Sequence, residues 1–218
     1  MDNGIRLLID TPPELRLQLT TFGIDHVDAV LFTHDHADHT HGLDDIRAIT
    51  VRRDAPLGMY GPKDSLARLA TRFPYIFDDS YQVLPGTFKP QGSARILDPG
   101  VAVDIGGVQV TPVSLPHGNM EVFGYRIGPL GYITDAKSIS EEAIAVYRGV
   151  KVLVLNALFR TEHPTHLSIP EAVQVAKEIG AERTYLTHLT HHNFHADLEA
   201  ELPRGIAPAF DGLTIRID

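Results

Sequence analysis

The sequence predicts an α/β chain in which two sheets pack face to face with helices outside. Three observations carry that reading. Apolar strand-like runs alternate with amphipathic stretches from residue 5 to 72, a period of two with Pro and Gly turns takes over from 94 to 134, and the alternation of strand and helix returns after 140. Residues 5–10 read as a strand. Thr11-Pro12-Pro13-Glu14 then opens an amphipathic helix running to about Thr21, with Thr11 as its N-cap and Gly23 as its stop. Residues 27–32, rich in β-branched and aromatic side chains, form a short buried strand, and residues 42–49 are helical. Residues 56–60 form another strand, followed by a helix over 62–72 that carries Leu66, Leu69 and Ala70 on one face. Residues 73–93 break the rhythm, combining aromatics with turn formers. They read either as a rim or lid over a site, or as a surface excursion whose aromatics tuck into a satellite cluster. Strands at 94–97, 101–105, 108–113, 122–127 and 131–134, separated by Pro99-Gly100, Gly106-Gly107 and Gly128-Pro129, predict an antiparallel meander. After it come a helix over 140–147, a strand over 151–155, a helix over 170–179, a strand over 183–186, a helix over 195–202 and a last strand over 213–217.

Composition narrows the function classes. At 218 residues and 43% hydrophobic content, one substantial core suffices, and residues 1–218 are expected to form a single domain. The net charge is −9 and no Lys/Arg run exceeds the pair Arg52-Arg53, which argues against nucleic acid or an anionic membrane as partner. A small-molecule substrate is expected instead. Cys is absent, so disulfides and thiolate metal sites are excluded and any metal must be held by nitrogen and oxygen. With no signal-peptide pattern and no apolar run of membrane-spanning length, the expected address is the cytoplasm. The composition's anomaly is its 12 His, five of which fall between His26 and His41.

That cluster carries the chemistry. A lone His-x-His is a solvated loop or a satisfied core pair more often than a metal site. Here, however, His34, His36, Asp38 and His39 fall within six residues, directly beyond a predicted strand. In an extended backbone His34 and His36 project from the same side and can grip one ion, while Asp38 and His39 lie where the chain turns toward a helix and can face a second. Three further donors end predicted strands: His117, Asp135 and His188. Alone, each reads as a turn or polar-loop residue. Together their placement favours ligands, because a sheet fixes the backbone while the side chain reaches open space. Seven donors suffice for two ions that share a carboxylate.

The run His34, His36, Asp38, His39, followed by His117, Asp135 and His188 in that order, resembles the metallo-β-lactamase superfamily of dinuclear hydrolases. Leu8-Ile9-Asp10-Thr11-Pro12-Pro13-Glu14-Leu15-Arg16, His166-Leu167-Ser168-Ile169-Pro170-Glu171-Ala172, and Leu186-Thr187-His188-Leu189-Thr190-His191 through Ala209-Phe210-Asp211-Gly212-Leu213 are similar to its phosphoribosyl cyclic phosphate phosphodiesterase-like branch. The resemblance implies a four-layer αββα sandwich. It also implies that His34, His36 and His117 hold one divalent ion, that Asp38, His39 and His188 hold the other, and that Asp135 bridges them. The ions would be zinc or manganese, with iron also admitted by all-N/O ligation. His166 would be the general acid that protonates a leaving alkoxide, with His163 as competitor, and Asp38 a ligand with a secondary proton-shuttle role. His26, His41, His191, His192 and His195 are expected at the surface or behind the ligands, with His191 nearest the pocket. Against the family pattern the chain begins at or within the second strand. The first sheet is therefore expected to be short of a strand, or covered by another chain, which makes a homodimer the expectation, or completed by a segment missing from this sequence. The separate Cys-containing zinc site of the phosphodiesterase cannot be built here.

The expected activity is hydrolysis of a small phosphodiester, cyclic ones included, by a hydroxide bridging two metals, since such a pair lowers the pKa of a shared water toward ~7. A thioesterase or lactonase is the first alternative. A transfer-RNA 3′-end nuclease is the second, disfavoured by the acidic charge, and a binding protein that kept the fold is the third.

Overall fold

The computed structural model describes residues 4–217. The chain divides into two compact units. One comprises residues up to Asp98 together with Ile105–Gly107, and the other Pro99–Asp104 with Val108 onward.

The first unit is built on four parallel strands in the order β1 (Leu7–Ile9), β2 (Ala29–Leu31), β3 (Leu57–Gly61) and β4 (Gly92–Ile96). Parallel neighbours require crossovers, and helices supply them. These are α1 (Leu15–Thr21), a single-turn α2 (Ala37–Thr40), a 3₁₀ turn (Leu43–Ile46), α3 (Arg47–Arg53), α4 (Lys63–Arg72) and the short α5 (Pro74–Phe77). Every residue of β2 is buried, as a strand covered on both faces must be. The core collects Leu15 and Leu19 from α1, Val30 and Phe32, Leu43 and Ile46, Leu57 and Met59, Leu66 and Leu69, and Ile76.

Four expectations need correction here. Thr11 does not cap α1. Its N–H donates to the His39 carbonyl (2.7 Å) and its hydroxyl to that of Thr40 (3.4 Å), so the residue ties down the loop after β2. Pro12 and Pro13 lack the N–H groups a cap would serve. The stretch after Gly42 begins as a 3₁₀ turn and runs on to Arg53, closed by Asp54 in the left-handed conformation (φ 53°). Within α4, Ser65 joins Leu66 and Leu69 in burial, whereas Ala70 is half-buried. The fourth correction concerns β4, which does not start a meander. The excursion over 73–91 returns the chain in its original direction, and β4 pairs parallel with β3 in register Tyr60↔Arg95. In that excursion Phe73, Tyr75 and Phe77 pack against the core around buried Ile76, with the Tyr75 hydroxyl on Asp44 (3.0 Å), so these aromatics join the unit's own core and not a separate satellite cluster. Tyr81, Val83, Leu84 and Phe88 are exposed.

The second unit carries a sheet in the order β11-β10-β9-β8-β7-β6-β5: β5 (Val103–Ile105), β6 (Val108–His117), β7 (Met120–Ile127), β8 (Leu130–Ile133), β9 (Val152–Asn156), β10 (Arg183–Thr187) and β11 (Ile206–Pro208). β6, β7 and β8 are antiparallel hairpins, whereas β8 through β11 run parallel, joined by α6 (Glu141–Tyr147), α7 (Ile169–Ile179) and α8 (His195–Glu201). α7 starts with a capping box in which Ser168 and Glu171 satisfy each other's backbone N–H groups. α6 is anchored by Tyr147, whose ring takes the space two glycines leave. A Cβ at Gly124 would stand 2.4 Å from the Tyr147 hydroxyl, and one at Gly131 3.0 Å from its ring. The predicted last strand over 213–217 is not formed. β11 instead takes the place beside β10, with Pro208 at its end as suits an edge, and the tail is tied by Arg183 donating to the Arg216 carbonyl (2.7 Å). Among the described residues no helix is long and apolar enough to cross a membrane.

Candidate metal centre

In the first unit the donors follow the carboxyl ends of β1 and β2. Beyond Leu31 the backbone bends at Thr33, is extended at His36 (ψ 155°) and then turns into α2, which carries Asp38 and His39. The rings of His34 and His36 meet edge-on with centroids 4.5 Å apart, on the same side as expected, and His34 lies 4.3 Å from His39. His34 and His36 offer ligand atoms within 4.8 Å of one another, as do Asp38 and His39. His34 and His39 are buried, while His36 and Asp38 are open to solvent.

Asp10, absent from the sequence-derived donor list, organises this set. It is buried, directly follows β1, and adopts a left-handed backbone (φ 59°). Its carboxylate accepts from the Thr33 N–H (2.8 Å), the Thr33 hydroxyl (2.8 Å) and His39 Nδ1 (2.7 Å). Because the Thr33 hydroxyl spends its proton on Asp10, it accepts from His34 Nδ1 (2.9 Å). Both rings therefore carry their proton on Nδ1 and turn an Nε2 lone pair outward, the tautomer a metal ligand needs. Burial pushes the Asp10 carboxyl up from its ordinary pKa against the opposing pull of His39 and Thr33. A second buried carboxylate, Asp35, lies between the two His of the motif. It accepts from Arg68 Nε (2.9 Å) and Arg72 (3.3 Å), while Arg72 also donates to the Asp35 carbonyl (2.8 Å). The signal available in the sequence was weak: an acid directly after a strand that proves to be the parallel neighbour of β2, with Ile9 opposite Leu31.

In the second unit β6, β8 and β10 point the same way, so their carboxyl ends open at one edge of the sheet. His117 is the last residue of β6, Asp135 lies two residues past β8, and His188 directly follows β10. Asp135 and His188 are left-handed (φ 60° and 57°). Asp135 offers a ligand atom within 4.8 Å of one from His117 and within 4.8 Å of one from His188. His117 Nδ1 donates to the Thr165 carbonyl (3.0 Å), so here too Nε2 is the ligating nitrogen. Both His188 Nε2 and His166 Nε2 stand 3.3 Å from Asp135 Oδ2. The His166 ring, 9% exposed, packs against His117 and His188 at centroid distances of 4.7 and 4.9 Å. The two loops involved are pinned together. Buried Asn156 exchanges hydrogen bonds with the Ala136 backbone (3.0 Å each way), and the Leu167 N–H donates to the Ala136 carbonyl (2.9 Å).

The structure thus gathers His34, His36, Asp38 and His39 in one unit, and His117, Asp135, His188 and His166 in the other. His163 stands behind His166, its ring centroid 5.3 Å away. His26 pairs with Asp28, and His41, His191, His192 and His195 are exposed. The donor chemistry of each set, neutral imidazole Nε2 beside carboxylate oxygen, fits zinc, manganese or iron.

Comparison with known proteins gives this chemistry a family. A relative from Porphyromonas gingivalis (strain ATCC BAA-308 / W83) named octanoyltransferase is 36% identical over 219 residues, covering all of this chain but 43% of its own length. The chain therefore spans less than half of that relative. The crystal structure of a diphosphatase from the PhnP family superposes with a TM-score of 0.87 at 34% identity, over 97% of this chain and 80% of its own. Zinc-bound PqqB from Methylobacterium extorquens has the same α/β fold, at a TM-score of 0.76 and 20% identity, with 100% and 85% of the two chains covered. Residues 5–189 match the model of the beta-lactamase superfamily domain, and the chain belongs to that superfamily.

Proposed function

We propose that the two donor sets act as one dinuclear centre that hydrolyses a small phosphodiester, cyclic ones included. His34, His36 and His117 take one ion, Asp38, His39 and His188 the other, and Asp135 bridges, a role supported by its ligand atoms lying near both His117 and His188. Bound there, two divalent ions supply Lewis acidity toward phosphoryl oxygens and a nucleophile from water at neutral pH. The chain's residues do the rest. Asp10 and Thr33 hold the tautomers of His34 and His39, and the Thr165 carbonyl holds that of His117.

The observation that carries the phosphodiester reading is His166, a buried imidazole whose Nε2 meets Asp135 Oδ2 at 3.3 Å. An alkoxide leaving group needs a proton, and a general acid there contributes roughly 10²–10⁴-fold. A thiolate leaves without one, whereas a lactone expels an alkoxide too, so His166 sets the phosphodiester apart from the thioester and the substrate screen sets it apart from the lactone. The 34% identical diphosphatase adds support for a phosphoryl substrate. The acyl alternative, a thioesterase or lactonase, is favoured by one finding, the 36% identical relative named for octanoyl transfer.

The test is a screen of manganese- and zinc-loaded protein on 2′,3′-cyclic nucleotides, bis-p-nitrophenyl phosphate, diphosphates, thioesters and lactones, with His166→Ala alongside. Phosphodiester turnover that falls on cyclic nucleotides by ~10²-fold or more in His166→Ala is expected. Turnover of thioesters or lactones with none of any phosphodiester sinks the proposal in favour of the acyl reading, and His166→Ala then leaves thioester turnover unaffected.

A further inference from the structure

Behind His166 the chain runs His163-Pro164-Thr165, and Thr165 is engaged on three sides. Its carbonyl accepts from His117 Nδ1 (3.0 Å). Its hydroxyl lies 2.7 Å from His166 Nδ1 and 3.2 Å from His163 Nδ1. Its methyl packs toward Gly118, where an added Cβ would stand 3.0 Å away at a left-handed backbone (φ 59°).

We propose that Thr165 is a positioning residue that fixes the ring and tautomer of His166, with His163 as the acceptor that orients the Thr165 hydroxyl rather than as a proton donor to substrate. The inference rests on the reading of His166 given above. Proton counting carries it. The Thr165 N–H donates to His163 Nδ1 (3.4 Å), so that nitrogen carries a lone pair. In the doubly protonated ring that a general acid requires, both His166 nitrogens donate, Nε2 toward Asp135 Oδ2 (3.3 Å) and Nδ1 to the Thr165 oxygen (2.7 Å), which turns the single hydroxyl proton toward the His163 lone pair (3.2 Å). His166 is thereby left with Nε2 on the side of Asp135, and only this nitrogen can exchange a proton with a substrate. Burial, with His166 and Lys137 nearby, holds His163 below its ordinary pKa, in the neutral form this arrangement uses. Thr is the apt residue, since β-branching restricts χ1 and so aims the hydroxyl. Pro164 stiffens the link between the two imidazoles.

The test compares Thr165→Val, Thr165→Ser, His163→Leu and His166→Ala in the full chain. Thr165→Val removes the hydroxyl but leaves the carbonyl that holds His117, so bound metal stays at the wild-type level. Its kcat on a 2′,3′-cyclic nucleotide falls about 10–100-fold, the usual effect of an outer hydrogen-bond partner, with KM little changed. The loss is several-fold smaller on bis-p-nitrophenyl phosphate, whose leaving group departs unprotonated. Imidazole ¹⁵N shifts show His166 leaving the Nδ1–H form, Thr165→Ser restores it, and His163→Leu, at a half-exposed position, reproduces the valine effect. Wild-type turnover of the cyclic nucleotide by Thr165→Val, with His166→Ala impaired, overturns this inference and leaves the proposed function standing. If His166→Ala is itself unimpaired on every phosphodiester, the reading of His166 fails instead. Thr165 is then judged on the ¹⁵N spectrum alone, where Nδ1–H retained in Thr165→Val refutes it.

Discussion

Replacing Asp10 by Asn changes one atom and should weaken two ion sites that Asp10 never touches. The carboxylate accepts three hydrogen bonds: the Thr33 N–H and hydroxyl at 2.8 Å each, and His39 Nδ1 at 2.7 Å. Asn tolerates the left-handed backbone at φ 59°, and its remaining oxygen can keep the Thr33 N–H. Its NH₂ must then face both His39 Nδ1 and the Thr33 hydroxyl, which share one carboxylate oxygen in the wild type. His39 Nδ1 turns from donor to acceptor, the Thr33 hydroxyl turns its proton to His34 Nδ1, and both rings move their proton to Nε2. A protonated Nε2 cannot ligate. The loss expected is about 10–100-fold in affinity for each of the two ions, or roughly 1.4–2.7 kcal/mol apiece. Thermal stability without metal should stay near wild type. Asp10→Ala differs, because it strands buried donors at about 1–3 kcal/mol each and places Ala in a left-handed conformation at a further ~1–2 kcal/mol, so it should melt early. The assay is isothermal titration of metal-free protein with zinc or manganese, beside melting curves. Two equivalents bound by Asp10→Asn with wild-type affinities would refute the tautomer reasoning.

Two further outcomes follow from the first unit. Arg72 donates to the Asp35 carbonyl (2.8 Å), the Asp35 carboxylate (3.3 Å) and the Thr40 hydroxyl (3.3 Å), so Arg72→Met should lower unfolding stability by about 1–2 kcal/mol; an unchanged urea midpoint would show the loop around His34 and His36 does not depend on it. Burial and then Asp44 push the Tyr75 phenol from 10.0 up to about 12. A raised folded pKa means stability fully present below pH 10.0 and lost as pH rises through about 12, and Tyr75→Phe should remove that part of the alkaline loss. Tyrosinate absorbance of wild type minus Tyr75→Phe should rise near pH 12, and a difference already complete near pH 10 would contradict the burial argument.

What could be seen in the sequence was local. The motif His34 to His39 announces itself within one turn of chain, and His117, Asp135 and His188 stand out because strand runs end there. The capped start of α7 is equally local, with Ser168 and Glu171 three residues apart. What escaped depends on partners chosen across the fold. Asp10 acquires its role from the parallel pairing of β1 with β2, and Asp35 from two arginines on α4, more than 30 residues away. Thr165 looks like a loop residue until His117, 48 positions earlier, donates to its carbonyl. β4 reads as the first strand of a meander because its alternation carries no mark of which neighbour it will pair with, and the unformed strand over 213–217 misled for the same reason.

The left-handed backbone at Asp10, Asp135 and His188 sets durability against reactivity. An L-residue in that conformation costs about 1–2 kcal/mol, a cost that glycine escapes. Selection for heat resistance alone should therefore push at least His188, the least enclosed of the three, toward Gly, and each such step would discard a group the chemistry needs. A library of this chain sorted first for melting temperature and then for turnover should find the two rankings opposed at His188, so that effort to toughen the protein is better spent on its helices.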